Sequence, residues 1–540
     1  MRPPANASLP KPPSDASVTA RGKRLRSHAC IATAAVLATA AAVLAGCTAA
    51  PAEPADPGRV ELRTPQAGAV LIGQGQRQAA AIKASQLFFD KSPLVLVVDE
   101  TDSAAVQLAE ATAVELGVPL FPITTPASPT PQASTTPPST ATRTALAEEL
   151  DRLDASRVVV FGEVAAFDSG GAARTDVTSL SDQDVVDTAL EPHPEPARLG
   201  EPVAAVTDGT APEAAAIVQA AGATLIEQAT PGDILAAPDV ISALTRLQPA
   251  STVLIGESYA AQPAPDWSVR AAMTGYQLTG GGQRLFGSHR FVALYGVPEV
   301  PILGVLGEQD ITGTIARADQ LANEFAPLSD LPVVPTLEII ATVAAGDAGS
   351  DGNYSNELDP ARIIEYIDAA SAAGAYVVID LQPGRSTFLS QAQAYQSLLE
   401  RPNVGLALDP EWRLGPDQVP LEQIGTVSAD EINTVSNWLA NLIDAKGLPP
   451  KMFVLHEFRE SMLTDRARID TSHPQLEFLA HVDGQGSQPE KQATWQALLA
   501  APPEGVARGW KNFIDEDSPM LTPAQTMTEV LPRPDFISYQ

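Results

Sequence analysis

Apolar and polar positions alternate along most of the chain in a regular rhythm. From residue 74 onward, short apolar runs bounded by turn residues are separated by Ala-rich stretches with helical spacing. Short apolar runs predict buried strands, and strands that alternate with helices predict a parallel α/β fold. In the first such unit we predict strands at 93–99, 119–123 and 157–162, and helices at 104–116 and 145–153.

This unit is then repeated. Val98-Asp99-Glu100-Thr101 corresponds to Thr207-Asp208-Gly209-Thr210, and the closing strand at 158–163 corresponds to 252–257. Most of the difference in length comes from one insertion, 124–142, which is rich in Pro, Ser and Thr. The sequence therefore predicts a duplicated, open α/β region over residues 74–260.

The duplicated unit resembles the type 2 cell-wall-binding repeat of Gram-positive surface proteins. The resemblance rests on an Ala-rich opening helix, the Gly117-Val118-Pro119-Leu120 strand, and the apolar strand that closes on Gly162. It covers roughly residues 74–165, and residues 200–260 less fully. It implies a role in wall attachment, although the family supplies no binding residues to transfer. A flavodoxin-like domain is the alternative.

In the C-terminal half, strand and helix patterns alternate as they do in a closed barrel. Eight strands are predicted, at 290–295, 334–342, 375–381, 404–408, 451–455, 476–480, 509–514 and 535–539. Eight βα units in about 250 residues are typical of a TIM barrel, which we assign to residues 285–540. No helix follows the last strand, and the segment 266–287 is a candidate to replace it. The predicted fold is thus α/β: a duplicated open region and then a (β/α)8 barrel that lacks its last helix.

Polar side chains cluster where these strands end, which is where a TIM barrel carries its active site. The candidates for substrate binding are Tyr295, Glu338, Asp380, Gln382, Trp412, His456, His481 and Lys511. The alternative is that these residues are solvated loop positions of a very acidic protein.

Asp409-Pro410-Glu411-Trp412 is the sharpest motif. Two crowded carboxyl groups raise the pKa of one of them, which gives a proton donor beside an anion, as glycosidic cleavage requires. Trp412 offers a flat face for a sugar ring. We expect Glu411 to be the acid/base with Asp409 assisting. The candidates for the opposing carboxylate are Asp515, Asp483 and Glu457.

The Asp-x-Glu motif on the fourth strand resembles glycoside hydrolases, notably the family 25 lysozymes. That resemblance implies Glu411 as the acid and Asp409 as its orienting partner. This chain departs from the family at the end of strand one, where it has Ala293-Leu294-Tyr295-Gly296 instead of an Asp. The barrel as a whole is similar to lipoproteins of actinobacteria, a resemblance that implies no particular reaction.

The N-terminus has the pattern of an export signal. A basic patch at 21–28 precedes an apolar run at 29–44 and then Leu44-Ala45-Gly46-Cys47. The run is shorter than a membrane span, and its flanks match a secretory signal. Its end resembles the lipobox of bacterial lipoproteins. We therefore predict a signal peptide at 1–46, a membrane lipid anchor on Cys47, a tether at 47–73 and an extracytoplasmic location. An uncleaved anchor helix is the alternative.

The charge limits the kinds of partner that the protein can bind, and the cysteine content limits its disulfides. The chain has 65 Asp and Glu against 34 Lys and Arg, a formal charge of −31. Because nucleic-acid binding needs a basic surface, nucleic acid is excluded as a partner. Its two cysteines are Cys30 and Cys47, so the mature chain has no intrachain disulfide.

No cofactor and no metal are expected. His456, His481, Asp380 and Asp483 are the set that would gather a metal, but strand one lacks a His-x-His pair. The leading hypothesis is a wall-facing lipoprotein that hydrolyses an extracellular or wall carbohydrate. The alternatives are a non-catalytic receptor for a cell-wall polymer or carbohydrate, and a binding lipoprotein that serves a transporter.

Overall fold

A computed structural model describes residues 58–73, 75–124, 144–164, 167–500 and 505–540. The predicted signal peptide, Cys47 and nearly all of the 124–142 insertion lie outside these residues. Within the described ranges, no helix is both long and apolar enough to cross a bilayer.

The N-terminal part consists of short parallel strands and Ala-rich helices. Its strands are β1 Glu61–Leu62, β2 Gly68–Ile72, β3 Phe89–Lys91, β4 Leu94–Asp99, β5 Leu120–Ile123, β6 Arg157–Phe161, β7 Ala173–Val177, β8 Val203–Thr207, β9 Thr224–Glu227 and β10 Ser251–Ile255. Its helices are α1 Arg77–Phe88, α2 Ser103–Leu116, α3 Ala145–Arg152, α4 Gln183–Leu190, α5 Pro212–Ala220, α6 Pro238–Leu247 and α7 Pro265–Met273.

Local signals in the sequence set where these helices begin and end. The side chain of Asp102 accepts hydrogen bonds from the N–H groups of Ala104 and Ala105, which caps α2. Gly117 ends the same helix with φ of 67°, a left-handed conformation that glycine adopts without strain.

Two four-stranded parallel sheets confirm the predicted duplication. The first has the strand order β5-β4-β6-β7, and the second has the order β9-β8-β10-β2. Strands β8, β9 and β10 therefore occupy the places of β4, β5 and β6. The fourth place in the second sheet is taken by β2, from the beginning of this region. Helix α5 packs against α1 and α2 and joins both sheets into one core.

The structure corrects the predicted tether at 47–73. The apolar run Gly68–Ile72 forms β2, which pairs in parallel with Ser251–Ile255. Glu61 and Leu62 pair antiparallel with β3. Residues 58–73 thus belong to the folded region, because a strand of five mostly apolar residues completes an otherwise open sheet edge.

The C-terminal part is a closed barrel with short additions. Its strands are β11 Arg290–Gly296, β12 Val333–Ala344, β13 Ser355–Glu357, β14 Tyr376–Leu381, β15 Val404–Leu408, β16 Val427–Ser428, β17 Lys451–Glu457, β18 Leu463–Thr464, β19 Leu476–Val482, β20 Ala507–Asn512 and β21 Phe536–Tyr539. Its helices are α8 Ile311–Phe325, α9 Pro360–Ala372, α10 Phe388–Ala394, α11 Gln396–Leu399, α12 Ala429–Lys446, α13 Gln488–Leu498 and α14 Pro523–Glu529.

Eight of these strands close the predicted barrel. The parallel order is β11-β12-β14-β15-β17-β19-β20-β21, and β21 pairs back onto β11. Helices α8 and α14 contact each other on the outside of the barrel. The pairing of β21 with β11 confirms the predicted closed barrel.

The segment 266–287 does not replace the last helix. Instead, Leu278 and Leu285 are buried against the apolar residues at the amino-terminal end of the barrel interior, including Phe291 and Phe536. The carboxylate of Glu477 accepts hydrogen bonds from the N–H groups of Leu285 and Phe286. The part of the segment that follows α7 is therefore a plug for the bottom of the barrel, because the aromatic lower interior would otherwise face water, whereas α7 itself packs against α6 and β2.

The barrel interior changes character along its axis. Phe291, Tyr376 and Phe536 belong to its lower, apolar layers. Toward the carboxyl ends of the strands, the inward positions become charged or polar: Tyr295, Glu338, Asp380, His456, His481, Lys511 and Ser538, all buried. A charged upper layer on an apolar base positions the candidate site.

Candidate functional site

A cavity of about 630 Å³ opens at the carboxyl ends of the barrel strands. Seven predicted site residues form part of its wall: Tyr295, Gln382, Asp409, Glu411, Trp412, Asp483 and Lys511. Four others lie buried beneath the cavity and outside its wall: Glu338, Asp380, His456 and His481. The barrel therefore brings together eleven of the thirteen predicted side chains.

A single helical turn at the end of β15 presents Glu411 and Trp412. Asp409 begins this turn, and its Oδ1 accepts a hydrogen bond of 3.2 Å from the N–H of Glu411. Pro410 occupies the first position of the turn, where its missing N–H costs nothing. Asp409 thus orients Glu411 through the backbone.

Glu411 is an acid adapted to neutral pH. Burial and the nearby charge of Asp483 raise the pKa of Glu411 to about 7. Burial and the charge of Asp380 also raise the pKa of Asp409 well above its ordinary value. The pKa values of both carboxyl groups of the motif are therefore raised, whereas the sequence predicts a raised pKa for only one of them.

A buried row of side chains runs from β12 to the loop after β19. His456 contacts Glu338 Oε1 through Nε2 at 2.8 Å and Asp483 Oδ2 through Nδ1 at 2.9 Å. Burial alone would lower the pKa of His456, but the charge of Glu338 and the hydrogen bonds to Asp483 and Glu338 raise it well above the usual value. His456 therefore links two carboxylates.

Asp483 remains an anion although it is buried. Burial would raise its pKa, but the hydrogen bond from His456 and the charges of His456 and Lys511 lower the pKa of Asp483 to about 2. Glu411 and Asp483 both belong to the wall of the cavity. The cavity therefore contains one carboxyl group with a raised pKa and one with a lowered pKa.

His481 lies beside this row. Its Nε2 is 2.9 Å from Ser538 Oγ, and its ring lies 4.6 Å from the ring of His456. Burial and the charge of His456 lower the pKa of His481 well below its usual value. The ligand atoms of Glu338, His456 and His481 lie within 4.8 Å of one another, which is the spacing of a potential metal site.

Tyr295 lies near the carboxyl end of β11, the first strand of the barrel. Its hydroxyl donates a hydrogen bond of 2.8 Å to Asp380 Oδ2. The ammonium group of Lys511 lies 3.4 Å from the centre of the Tyr295 ring, a cation–π contact. Burial raises the pKa of Asp380 to about 6, with the charge of Glu338 adding to the effect and His456 opposing it.

Two predicted site residues do not join the site. Glu457 follows the inward-facing His456, so it points out of the barrel and forms an ion pair with Arg466. Asp515 is exposed on the loop after β20 and is not part of the cavity wall. Of the three candidates for the opposing carboxylate, only Asp483 faces the cavity with Glu411.

The sequence analysis missed several residues of the site. Ile302 and Leu421 stand on loops at the cavity, and their side chains are 90% and 85% exposed. Phe458 and Phe513 add aromatic surface to the wall. Ser538 could not be recognised from the sequence, because nothing distinguishes an inward-facing serine of an apolar strand from the other inward-facing residues.

A larger cavity of about 900 Å³ lies elsewhere, beside α2, α5 and β9 in the N-terminal part. Its wall combines apolar residues with carboxylates that are exposed, Glu115 and Glu227, or half-buried, Glu110 and Asp208. Among the described residues, its wall has no fully buried cluster of ionisable groups like that of the upper layer of the barrel. The buried ionisable groups are therefore concentrated at the barrel cavity, although it is the smaller of these two cavities.

A TIM-like barrel with an acidic, aromatic cavity at its carboxyl end is compatible with a carbohydrate-related function. No family model matches the sequence, and no curated protein matches it. Among solved structures, the fold is similar to a chain titled Cwp6 from Clostridium difficile, with 10% sequence identity and a TM-score of 0.29. That match covers 58% of this chain and 63% of the other, less than two thirds of its length.

Proposed function

We propose that the barrel is a glycoside hydrolase acting on an extracellular or cell-wall carbohydrate. The observation that carries the proposal is the position of Glu411 and Asp483 in one cavity, beside the aromatic face of Trp412. Two carboxyl groups that flank a sugar, one protonated and one not, are the apparatus of most glycoside hydrolases.

In the proposed reaction, Glu411 donates its proton to the glycosidic oxygen as the bond to the anomeric carbon breaks. Asp483 supports the positive charge that develops on the sugar ring, either by direct attack or by activating a water molecule. His456 holds Asp483 through Oδ2 and fixes the direction of its other oxygen. If Asp483 attacks directly, Glu411 recovers its proton from the water that hydrolyses the glycosyl ester of Asp483. If Asp483 activates the water instead, Asp483 takes the proton of that water and passes it to solvent, and Glu411 is reprotonated from solvent.

We assign substrate binding to the other residues of the cavity wall. Trp412 provides a flat apolar surface for a sugar ring, while the Gln382 amide and the Lys511 ammonium group offer hydrogen bonds to hydroxyl groups. Ile302 and Leu421 at the loops would cover the apolar faces of neighbouring sugar units.

The test is hydrolysis of purified actinobacterial cell walls and of a panel of polysaccharides, measured by the new reducing ends and by mass spectrometry of released fragments. We expect the wild type to release sugar fragments and Glu411→Gln to lose at least about 100-fold in rate, as expected for loss of a general acid. Glu422→Gln is the matched control, because Glu422 is an exposed residue after the same strand.

The same assay separates hydrolysis from binding. If the wild type and Glu411→Gln bind a polysaccharide equally and neither releases fragments, the hydrolase proposal is wrong. The protein would then be a carbohydrate receptor.

We further propose that the protein works outside the membrane, anchored through Cys47, with its N-terminal sheets contributing to attachment at the wall. The Leu44-Ala45-Gly46-Cys47 sequence and the resemblance of residues 74–165 to wall-binding repeats support this proposal. Metabolic labelling with an alkyne fatty acid should mark the wild type and not Cys47→Ala. Labelling of both proteins, or of neither, would contradict the anchor.

A further inference from the structure

The upper layer of the barrel contains a cluster whose composition the proposed hydrolysis does not require. Glu338, His456 and His481 stand on β12, β17 and β19, and all three side chains are fully buried. We propose that these three residues bind one divalent transition-metal ion of the Zn²⁺ class, directly beneath the sugar-binding cavity.

The spacing of the ligand atoms suits such an ion. Zn²⁺ binds imidazole nitrogen and carboxylate oxygen at about 2.1 Å, so two of its ligand atoms lie at most about 4.2 Å apart. Glu338 Oε1 is 2.8 Å from His456 Nε2 and 3.8 Å from His481 Nδ1. All three ligand atoms fall within 4.8 Å, so small side-chain shifts would complete the site.

The outer ring nitrogens of both histidines already have the partners that metal-bound histidines have. His456 Nδ1 contacts Asp483 Oδ2, so a proton on Nδ1 leaves the lone pair of Nε2 directed at Glu338. His481 Nε2 contacts Ser538 Oγ, so a proton on Nε2 leaves Nδ1 as the ligand. A carboxylate or hydroxyl behind each ligating histidine is the usual arrangement around protein-bound zinc.

Several buried polar atoms of the cluster lack a hydrogen-bond partner within the described part of the chain. They are Glu338 Oε2, Asp380 Oδ1, His481 Nδ1 and Asp483 Oδ1. Buried polar atoms are nearly always satisfied in folded proteins, so a group of four at one place indicates a ligand. Two of the four, Glu338 Oε2 and His481 Nδ1, belong to the proposed ligands.

The charges of the cluster also favour a cation. Besides Asp409, three carboxyl groups, those of Glu338, Asp380 and Asp483, converge on the upper layer and are buried or nearly so. With the ion bound and His456 neutral, Lys511 is the buried cationic side chain among them. A divalent ion would balance the remaining negative charge. Two histidines and one carboxylate select Zn²⁺, Mn²⁺ or Fe²⁺ over Mg²⁺, which prefers oxygen ligands alone.

This inference goes beyond the proposed hydrolysis and does not depend on it. The ion would lie below the cavity wall and would act on the site through His456, which orients Asp483. With the ion bound, His456 has one proton, on Nδ1, and that proton holds Asp483 in place. Glu338, His456 and His481 are therefore positioning residues for the cavity.

The test is metal content and metal binding of the purified protein. After removal of metal with a chelator, we expect Zn²⁺ to bind at one ion per chain and Mg²⁺ not to bind, by calorimetry and elemental analysis. Added Zn²⁺ should raise the melting temperature, and Co²⁺ should give the visible absorption of a nitrogen- and oxygen-ligated site. Glu338→Gln should weaken Zn²⁺ binding at least about 100-fold.

Milder variants keep the test decisive if Glu338→Gln fails to fold. Ser538→Ala and Asp483→Asn remove outer partners and should weaken Zn²⁺ binding about 10- to 100-fold, with an unchanged circular dichroism spectrum. His473→Gln is the control, since His473 lies on the loop before β19 and contacts Asp470 instead.

A folded protein that binds no Zn²⁺, Mn²⁺ or Fe²⁺ stoichiometrically would overturn the proposal. Zn²⁺ binding that is unchanged in both Ser538→Ala and Asp483→Asn would overturn it as well. If metal binding fails while Glu411→Gln still abolishes hydrolysis, only the metal site is wrong and the hydrolase proposal stands.

Discussion

Glu411 is the residue on which the proposed chemistry depends. Because burial and the charge of Asp483 raise the pKa of Glu411 from 4.5 to about 7, Glu411 is protonated below that pH and ionised above it. A general acid must be protonated to act, so kcat/KM should fall as pH rises through about 7. The measurement is a pH profile of the hydrolysis rate from pH 5 to 9. A rate that rises steadily over this range would contradict the assignment.

Glu457 differs from Glu411, although both are carboxyl groups near strand ends: Glu457 is fully buried, whereas Glu411 is half-buried at the cavity. Arg466 is its ion-pair partner outside the barrel. Arg466→Ala leaves the carboxylate buried without a partner, so the free energy of unfolding should fall by about 3 kcal/mol at pH 8. The loss should be smaller at pH 5, because burial raises the pKa of Glu457 to about 7 even in the presence of Arg466 and protonation removes the charge.

Urea unfolding measures both values. Arg468→Ala is the matched control, because the Arg468–Asp430 pair is mostly exposed and such pairs contribute less than about 1 kcal/mol. The activity per folded molecule should remain unchanged in both variants. A loss of activity in folded Arg466→Ala would instead place Glu457 in the catalytic site.

At the scale of the element, an Asp-x-Thr turn is repeated at the carboxyl end of a strand in each N-terminal sheet. Asp208 directly follows β8 and accepts hydrogen bonds from the N–H and hydroxyl groups of Thr210 and Ser258. Asp99 accepts the same two bonds from Thr101 in the first copy. The carboxylate of Asp208 therefore links the ends of β8 and β10.

Gly256 makes this link possible. A Cβ atom at Gly256 would lie 1.8 Å from Asp208 Oδ1, and Gly256 has φ of 137°, which is unfavourable for other residues. Gly256→Ala should therefore lower the free energy of unfolding by at least about 2 kcal/mol, through backbone strain and the loss of the Asp208 bonds. Gly346→Ala, whose Cβ would meet nothing within 4 Å, is the control in thermal unfolding. Equal stability of the two variants would contradict this role.

The elements that could be predicted are those with continuous apolar runs or clear helical spacing. The barrel strands and the strands 94–99 and 157–161 are fully buried, or nearly so, and were predicted within a few residues. Strand β7, Ala-Arg-Thr-Asp-Val, was missed because it is a largely exposed edge strand without that pattern. Strand β2 was assigned to the tether because its partner, Ser251–Ile255, is distant in sequence.

At the scale of the whole molecule, the barrel depends on a segment that precedes it. Leu285 is fully buried in the lower barrel interior with Phe291 and Phe536. Leu285→Ala should therefore cost about 2–5 kcal/mol of unfolding free energy, as truncation of a buried leucine does. Ile302→Ala, at a side chain that is 90% exposed, should change it by less than about 0.5 kcal/mol. Similar values for both would show that the plug does not stabilise the barrel.

The arrangement of the strands in the whole barrel determines how much of the site could be predicted from the sequence. Placing polar residues at the ends of barrel strands identified Glu411, Asp483 and Trp412, since all eight strand ends meet at one face. The direction of each side chain was harder to predict, because successive residues of a strand point to opposite sides of the sheet. Glu457 was therefore included although it points outward. Which carboxyl groups keep their protons depends on partners more than a hundred residues apart, such as Glu338 and His456, and no local pattern reveals that.

The proposed hydrolysis requires Glu411 to donate the proton to the leaving sugar. The most direct measurement compares wild type and Glu411→Ala on the natural carbohydrate and on a dinitrophenyl glycoside of the same sugar, whose leaving group needs no proton. We expect the variant to lose at least about 100-fold on the natural substrate and less than about 10-fold on the dinitrophenyl glycoside. Equal losses on both substrates, or full activity on the natural one, would contradict the assignment of Glu411 as the acid.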